Sequence, residues 1–197
     1  MKSVLISIRP KWCELIVSGK KTLEVRRTRP KLETPFKCYI YCTKPSKKCQ
    51  TICGCTVLNS DELYRHPRDG IKYGDSIELM ALDGKYSRDN FLNGKVIGEF
   101  VCDKIEEFTA DYRTDTEKIE SIADLACIEM PEIMEYGYFS DFLLAWHISD
   151  RKIYDKPKAL SEFSKPQTTR FITQPKKIKR APQSWCYVES LEKEVEE

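Results

Sequence analysis

The ten residues from 18 to 27, SGKKTLEVRR, constrain the fold of this chain more than any other stretch. They follow a predicted helix that ends at Gly19, because glycine adopts at little cost the conformation that terminates helices. A strand follows almost at once, since apolar and polar residues alternate beyond Lys21. The two faces of this strand are Leu23, Val25 and Arg27 on one side and Thr22, Glu24 and Arg26 on the other.

The polar face of this strand has two possible settings, a plain exposed surface or the wall of a wet cleft. In a cleft, Glu24 and Arg26 would have to pair, because an unpaired buried charge costs several kcal/mol. Lys21, at the mouth of the strand, would then be available to meet a carbonyl or phosphate of a ligand. We therefore expect Glu24 and Arg26 to be partly buried and hydrogen-bonded in a concave site, with Lys21 near its rim.

The rest of the chain predicts a mixed β structure with few helices. Residues 4–8 form an apolar run typical of a buried strand, and Pro10 suits the first turn of the helix after it. Residues 117–135 have a helical period, and 139–146 suit a helix or a strand. Further strands are predicted at 36–43, 76–80, 95–102, 145–154 and 184–189.

These elements predict a small barrel of five to seven strands, with a short helix after the first strand. We expect one domain over 1–197, with an insertion at 44–72 and a helical elaboration at 106–145. At 197 residues, the chain is long enough to enclose one substantial core.

Nine cysteines without a signal peptide predict free thiols in a reducing compartment, and hence a cytoplasmic protein. No apolar run approaches the roughly 20 residues of a membrane helix. Four thiolates could hold a structural zinc, but Cys38 and Cys42 share a strand face with Ile40, where small core residues are expected. We expect no metal and no cofactor. The cysteines at 49–55 keep zinc open as the alternative.

Charge is distributed unevenly along the chain. Residues 1–48 carry 13 Lys and Arg against 3 acidic residues, 101–149 carry 3 against 12, and 150–184 carry 10 against 3. If the chain ends lie together, the two basic blocks would form one face that attracts a polyanion such as nucleic acid. The alternative is solvated charge without a partner. Candidate phosphate contacts are Arg26, Arg27, Lys177, Lys179 and Arg180.

The stretch at 19–26 resembles the signature of the ASCH domain, a family of the PUA-like superfamily. Its G-x-K-x-x-E-x-R motif is matched by Gly19, Lys21, Glu24 and Arg26. The blocks at 5–10, 94–101, 145–160 and 182–189 look like those of a bacterial or phage branch. The resemblance implies a PUA-like pseudo-β-barrel whose cleft, beside the first helix, binds RNA or a modified nucleoside through Lys21, Glu24 and Arg26.

The resemblance also leaves other functions open. Some small relatives are amidohydrolases that deacetylate N4-acetylcytidine with a lysine, a threonine and a glutamate, and another relative is described as a ribonuclease. Lys21 matches that lysine, but Glu24 stands where the threonine would be and cannot be the same nucleophile. Glu129 is the candidate for the acid. The alternatives to a binding module are therefore a hydrolase that uses Lys21, Glu24 and Glu129, and a protein-interaction module.

Overall fold

The computed structural model describes residues 2–44, 93–111, 113, 115–166 and 176–191. Its strands are β1 (Lys2–Ile8), β2 (Leu23–Arg26), β3 (Phe36–Cys42), β4 (Val96–Cys102), β5 (Ile105–Phe108), β6 (Leu143–His147), β7 (Ser149–Lys158) and β8 (Trp185–Glu189). Its helices are α1 (Pro10–Val17), α2 (Thr116–Ala126) and α3 (Met130–Gly137), with a 3₁₀ turn at Leu160–Glu162. Apart from Lys44, the predicted insertion at 44–72 lies outside the described residues, as do the strand predicted at 76–80 and the cysteines at 49–55.

The strands form two sheets. The first has five strands in the order β7-β4-β3-β1-β8, and the second has three in the order β2-β6-β5. β1 lies parallel to β3 and antiparallel to β8, which confirms that the first and last strands are neighbours. Side chains of both sheets, among them Ile6, Ile40 and Trp146, pack into one core. The result is the predicted mixed β architecture, an open pseudo-barrel with a short helix after its first strand.

The two faces of β2 point to opposite sides of the sheet, as the alternation of apolar and polar residues predicts. Leu23 and Val25 are buried in a second apolar cluster with α2 and α3, which cover the outer face of the three-stranded sheet. Glu24 and Arg26 therefore point to the other side of the sheet, toward α1 and β1. This arrangement turns a strongly polar strand face inward.

The region 106–145, predicted as a helical elaboration, contains strand as well as helix. It contains α2 and α3, but it opens with the strand β5, which pairs antiparallel with β6. The short strand has adjacent charges at Glu106 and Glu107, so its sequence carries little period-two signal. The residues at 139–146, which suit either element, form the beginning of β6 from Leu143. With β5, the described residues hold eight strands against the five to seven expected.

The cysteines of the described core are free thiols, as predicted for Cys38 and Cys42, which are fully buried. Burial raises the pKa of Cys38 well above its usual value and raises that of Cys102 to about 12. Within the described ranges, no three His, Cys, Asp or Glu side chains are grouped to hold a metal ion. None of the helices described has the length and hydropathy needed to cross a membrane.

Gly19 generates a prediction about backbone strain. Its φ is +80°, and a Cβ atom there would lie 2.5 Å from the Nη2 atom of Arg151. Because that guanidinium is the tip of an exposed side chain that can move aside, the backbone carries most of the cost. Gly19→Ala should lower the free energy of unfolding by about 1–2 kcal/mol.

Urea denaturation measures this loss, and two further variants separate its causes. Gly19→Asn should lose less stability than Gly19→Ala, since asparagine tolerates the left-handed region. Arg151→Ala should not restore the stability of Gly19→Ala. Full recovery in the Arg151→Ala background would show that the steric contact, and not the dihedral angle, dominates.

Candidate functional site

The inward face of β2 lines a cavity of about 690 Å³. Its walls come from the start of α1, from β2 and the chain just after it, from α3, and from the residues that lead into β8. These elements are far apart in sequence and meet here because β1 pairs with β8 and because α3 packs against the second sheet. Lys21, Glu24 and Arg26 all line this cavity, so the cleft setting of the polar face is the one that the structure has.

Lys21 lies deeper than predicted. Only 1% of the residue is exposed, so it forms the inner wall and not the rim. Its Nζ atom donates a hydrogen bond to the carbonyl oxygen of Ala126 at 2.6 Å and lies 3.3 Å from Oε2 of Glu24. The same ammonium lies 5.0 Å from the centroid of the Trp12 ring, within the range of a cation–π contact. The carbonyl comes from the C-terminal turn of α2, where the helix dipole favours a cation.

Glu24 bridges two cations. Its Oε1 atom accepts from Nη2 of Arg26 at 2.8 Å, while Oε2 faces Lys21. Arg26 also donates to the carbonyl oxygen of Ser7 at 2.7 Å and to Oγ of Ser184 at 3.3 Å. The predicted pairing of Glu24 and Arg26 is therefore present. It connects β2 to β1 and to the chain that enters β8.

This cluster carries an excess of positive charge. Two cations share one carboxylate, and all three side chains are at most 12% exposed. The Nε atom of Arg26 is buried and has no hydrogen-bond partner among the described residues. An unsatisfied buried donor of this kind lowers the stability of the fold.

The outer wall of the cavity contains residues that the sequence did not single out. Arg9, Lys44 and Glu132 line it, as does Tyr136. The guanidinium of Arg27 stacks 4.6 Å from the centroid of the Tyr136 ring. The Nε atom of Arg27 also donates a hydrogen bond to the backbone carbonyl oxygen of Tyr136 at 3.0 Å. Glu132 and Tyr136 are four residues apart on α3, so they lie on one helix face. That spacing is the sequence signal that could have identified them.

Four predicted site residues lie outside the cavity. Glu129 is exposed at the start of α3, where its backbone carbonyl accepts from the N–H groups of two residues in the first turn. Lys177, Lys179 and Arg180 are exposed on the segment before β8, and Nζ of Lys177 donates to the carbonyl oxygen of Glu162 at 3.2 Å. From this part of the chain, Gln183 and Ser184 line the cavity instead.

Comparison with known families and structures identifies the fold. A family model described as the ASCH domain matches residues 6–148, which span β1 to β6. The chain is similar to the crystal structure of ASCH from Zymomonas mobilis, with a TM-score of 0.54 and 18% identity over 95% of this chain and 87% of that one. A substituted variant of the same protein gives a TM-score of 0.52 and 18% identity over 96% and 91%. None of the curated proteins compared matches the chain.

The buried position of Lys21 leads to a prediction with a matched control. Lys21→Met keeps the apolar stem but removes the ammonium, which leaves the Ala126 carbonyl oxygen without its donor and Glu24 with one cation. The free energy of unfolding should fall by roughly 2–4 kcal/mol. Lys20→Met changes the exposed neighbour and should stay within about 0.5 kcal/mol of the wild type. Urea denaturation measures both; equal stability of the two variants would contradict the burial and pairing of Lys21.

Proposed function

The chain belongs to the ASCH domain family, and on that premise we propose that the cavity beside β2 binds RNA or a modified nucleoside. The observation that carries the proposal is the buried cluster of Lys21, Glu24 and Arg26, which lines the cavity with an excess of positive charge. A ligand rich in carbonyl and phosphate oxygens offers acceptors to this positive charge.

The size and charge of the cavity support this ligand class. A volume of about 690 Å³ lies within the range of pockets that enclose small organic ligands. Its described lining holds five cationic side chains and two carboxylates: Arg9, Lys21, Arg26, Arg27 and Lys44 against Glu24 and Glu132. A cavity concentrates the electric field of the charges that line it. This excess of cations therefore favours an anionic ligand, such as one nucleotide of an RNA strand.

The lining residues divide into two roles under this proposal. Lys21 acts as a positioning residue, since its ammonium already contacts Glu24, the Ala126 carbonyl and the Trp12 ring. Arg26 lines the cavity and supplies the second cation of the cluster. Tyr136, exposed over 38% of its surface, offers an aromatic face at the mouth of the cavity on which a base can stack.

The basic run before β8 would extend the site beyond the cavity. Lys177, Lys179 and Arg180 are exposed and lie a few residues before Gln183 and Ser184, which line the cavity. A nucleic-acid strand that leaves the cavity along this segment would meet their charges. Such contacts would position the phosphate backbone without reading sequence.

A hydrolase is the second candidate, and one observation favours it. Glu132 places a second carboxylate in the cavity that holds Lys21 and Glu24, and it takes the place proposed for Glu129. Its carboxylate could accept a proton from a water whose oxygen attacks the acyl carbon of an N-acylated nucleoside. The acyl C–N bond would then break, and the same carboxyl group would return the proton to the leaving amine. Release of acetate from N4-acetylcytidine by the wild type, lost in Glu132→Gln, would put this function first.

RNA binding is tested by fluorescence anisotropy with a labelled single-stranded RNA over a salt series. The wild type should bind at low salt. Replacing Lys177, Lys179 and Arg180 together by glutamine should weaken binding to all sequences and lower the salt slope by roughly 0.7 for each phosphate that the variant no longer neutralises. The exposed Arg27→Gln variant should also bind more weakly, because the cavity mouth then lacks a cation and the partner of Tyr136.

The matched control neutralises Lys152, Lys156 and Lys158 on β7. This strand forms the edge of the five-stranded sheet opposite β8, so the control removes the same charge away from the proposed path. Its RNA affinity should remain close to that of the wild type. Equal losses of RNA affinity in both triple variants would show that only the net charge of the protein matters, and not the position of the lysines and arginine. No detectable RNA binding by the wild type at low salt would contradict the proposal that the protein binds a polyanion.

A further inference from the structure

We propose that the chain has a second binding surface, separate from the cavity, which takes a basic segment of a partner protein that also carries apolar side chains. The surface comprises the loop between α3 and β6 with the ends of β5 and α3 beside it. Its core residues are Tyr138, Phe139 and Phe142, and its charged residues are Glu107, Glu135 and Asp141. We call it the acidic aromatic surface.

The aromatic residues of this surface are strongly exposed. Phe139 is 87% exposed, Tyr138 78% and Phe142 43%, and the rings of Tyr138 and Phe139 contact each other edge to face at 4.9 Å. These residues all lie within five positions of the chain. Such a concentration of exposed aromatic area is typical of interaction sites, where aromatic side chains anchor the partner.

Two depressions flank the loop and give a partner places to insert side chains. One, of about 330 Å³, lies between β5 and the start of α2 and includes Phe142 and Asp141. The other, of about 430 Å³, lies between the end of β5 and the end of α3 and includes Tyr138 and Glu135. Both are lined by Thr109, so they form adjoining parts of one surface.

The charge of the surface selects the chemistry of the partner. The described walls of the two depressions carry five carboxylates, on Glu107, Asp111, Asp115, Glu135 and Asp141, against two cations, on Arg113 and Lys118. Arg113 is paired with Asp111 at 2.8 Å. Among the described residues, Glu107, Glu135 and Asp141 have no ion-pair partner. Lysine or arginine side chains of a partner would meet these carboxylates.

The same charge argues against the other occupants. A nucleic-acid strand or an anionic lipid surface would be repelled by the carboxylates around the rings. The acidic aromatic surface adjoins α3, as the cavity does, but the two are lined by different residues of that region: Glu135 and Tyr138 against Glu132 and Tyr136. The charge of the surface therefore favours a basic protein partner.

The experiment is selection of a random-peptide phage library on the full chain. The wild type should enrich peptides that combine Lys or Arg with large apolar residues. A synthetic peptide of the enriched sequence should bind the Tyr138→Ser/Phe139→Ser variant at least roughly tenfold more weakly. Both side chains are exposed, so this variant should fold. The control Leu191→Ser removes an exposed apolar side chain that lies two residues after β8, and it should keep full affinity.

A second variant, Glu107→Gln/Glu135→Gln/Asp141→Asn, tests the charge. It should bind the peptide more weakly than the wild type at low salt, with the difference shrinking as salt screens the carboxylates. RNA affinity should be unchanged in both variants, which separates this surface from the proposed cavity function.

Several results would overturn the proposal. They are an absence of enrichment, selection of acidic or uncharged peptides, and unchanged peptide affinity in the Tyr138→Ser/Phe139→Ser variant. A loss of RNA affinity in that variant would assign the rings to the nucleic-acid site instead. Sedimentation that shows a wild-type dimer, lost in the same variant, would assign the surface to a second copy of this chain.

Discussion

The ammonium of Lys21 is the point on which the architecture of the site depends. It joins three parts of the chain, because it contacts Glu24 on β2, the carbonyl oxygen of Ala126 at the end of α2, and the ring of Trp12 on α1. A buried cation is stable only where such partners offset its lost hydration. The position of α2 and the inward turn of the polar face of β2 are therefore parts of one arrangement. Arg26 extends it to β1 and to the segment before β8.

The residue pattern of a short stretch was enough to predict the helix and strand that begin the site and the pairing of Glu24 with Arg26. Gly19 ends α1 and the alternation beyond it puts Glu24 and Arg26 on one face, and both follow from backbone geometry over a few residues. The depth of Lys21 could not be predicted, because its main hydrogen-bond acceptor lies 105 residues away in the chain. Glu132, and not Glu129, lines the cavity. Which of the two does so depends on how α3 is rotated against the sheet, and no short sequence motif specifies that rotation.

The uneven charge of the sequence becomes two surfaces of opposite character. The cations in the described lining of the cavity all come from the first basic block, and the end of the second contributes Gln183 and Ser184 to the lining. The acidic block at 101–149 includes β5, α2 and α3, and much of its charge surrounds the exposed aromatic residues beside β5. Because the described cavity lining is mostly cationic and the described walls of the two depressions are mostly acidic, nucleic acid and a basic protein segment would be directed to different residues.

The central claim is that Lys21 and Glu24 are coupled within a buried cluster, and a double-mutant cycle on the free energy of unfolding tests it most directly. The cycle compares the wild type with Lys21→Met, Glu24→Gln and the double variant in urea denaturation. Burial and contact predict a favourable coupling of about 2 kcal/mol, so the double variant should be destabilised clearly less than the sum of the two single variants. Simple additivity would contradict the account, since it would mean that the two charges do not interact in the folded protein.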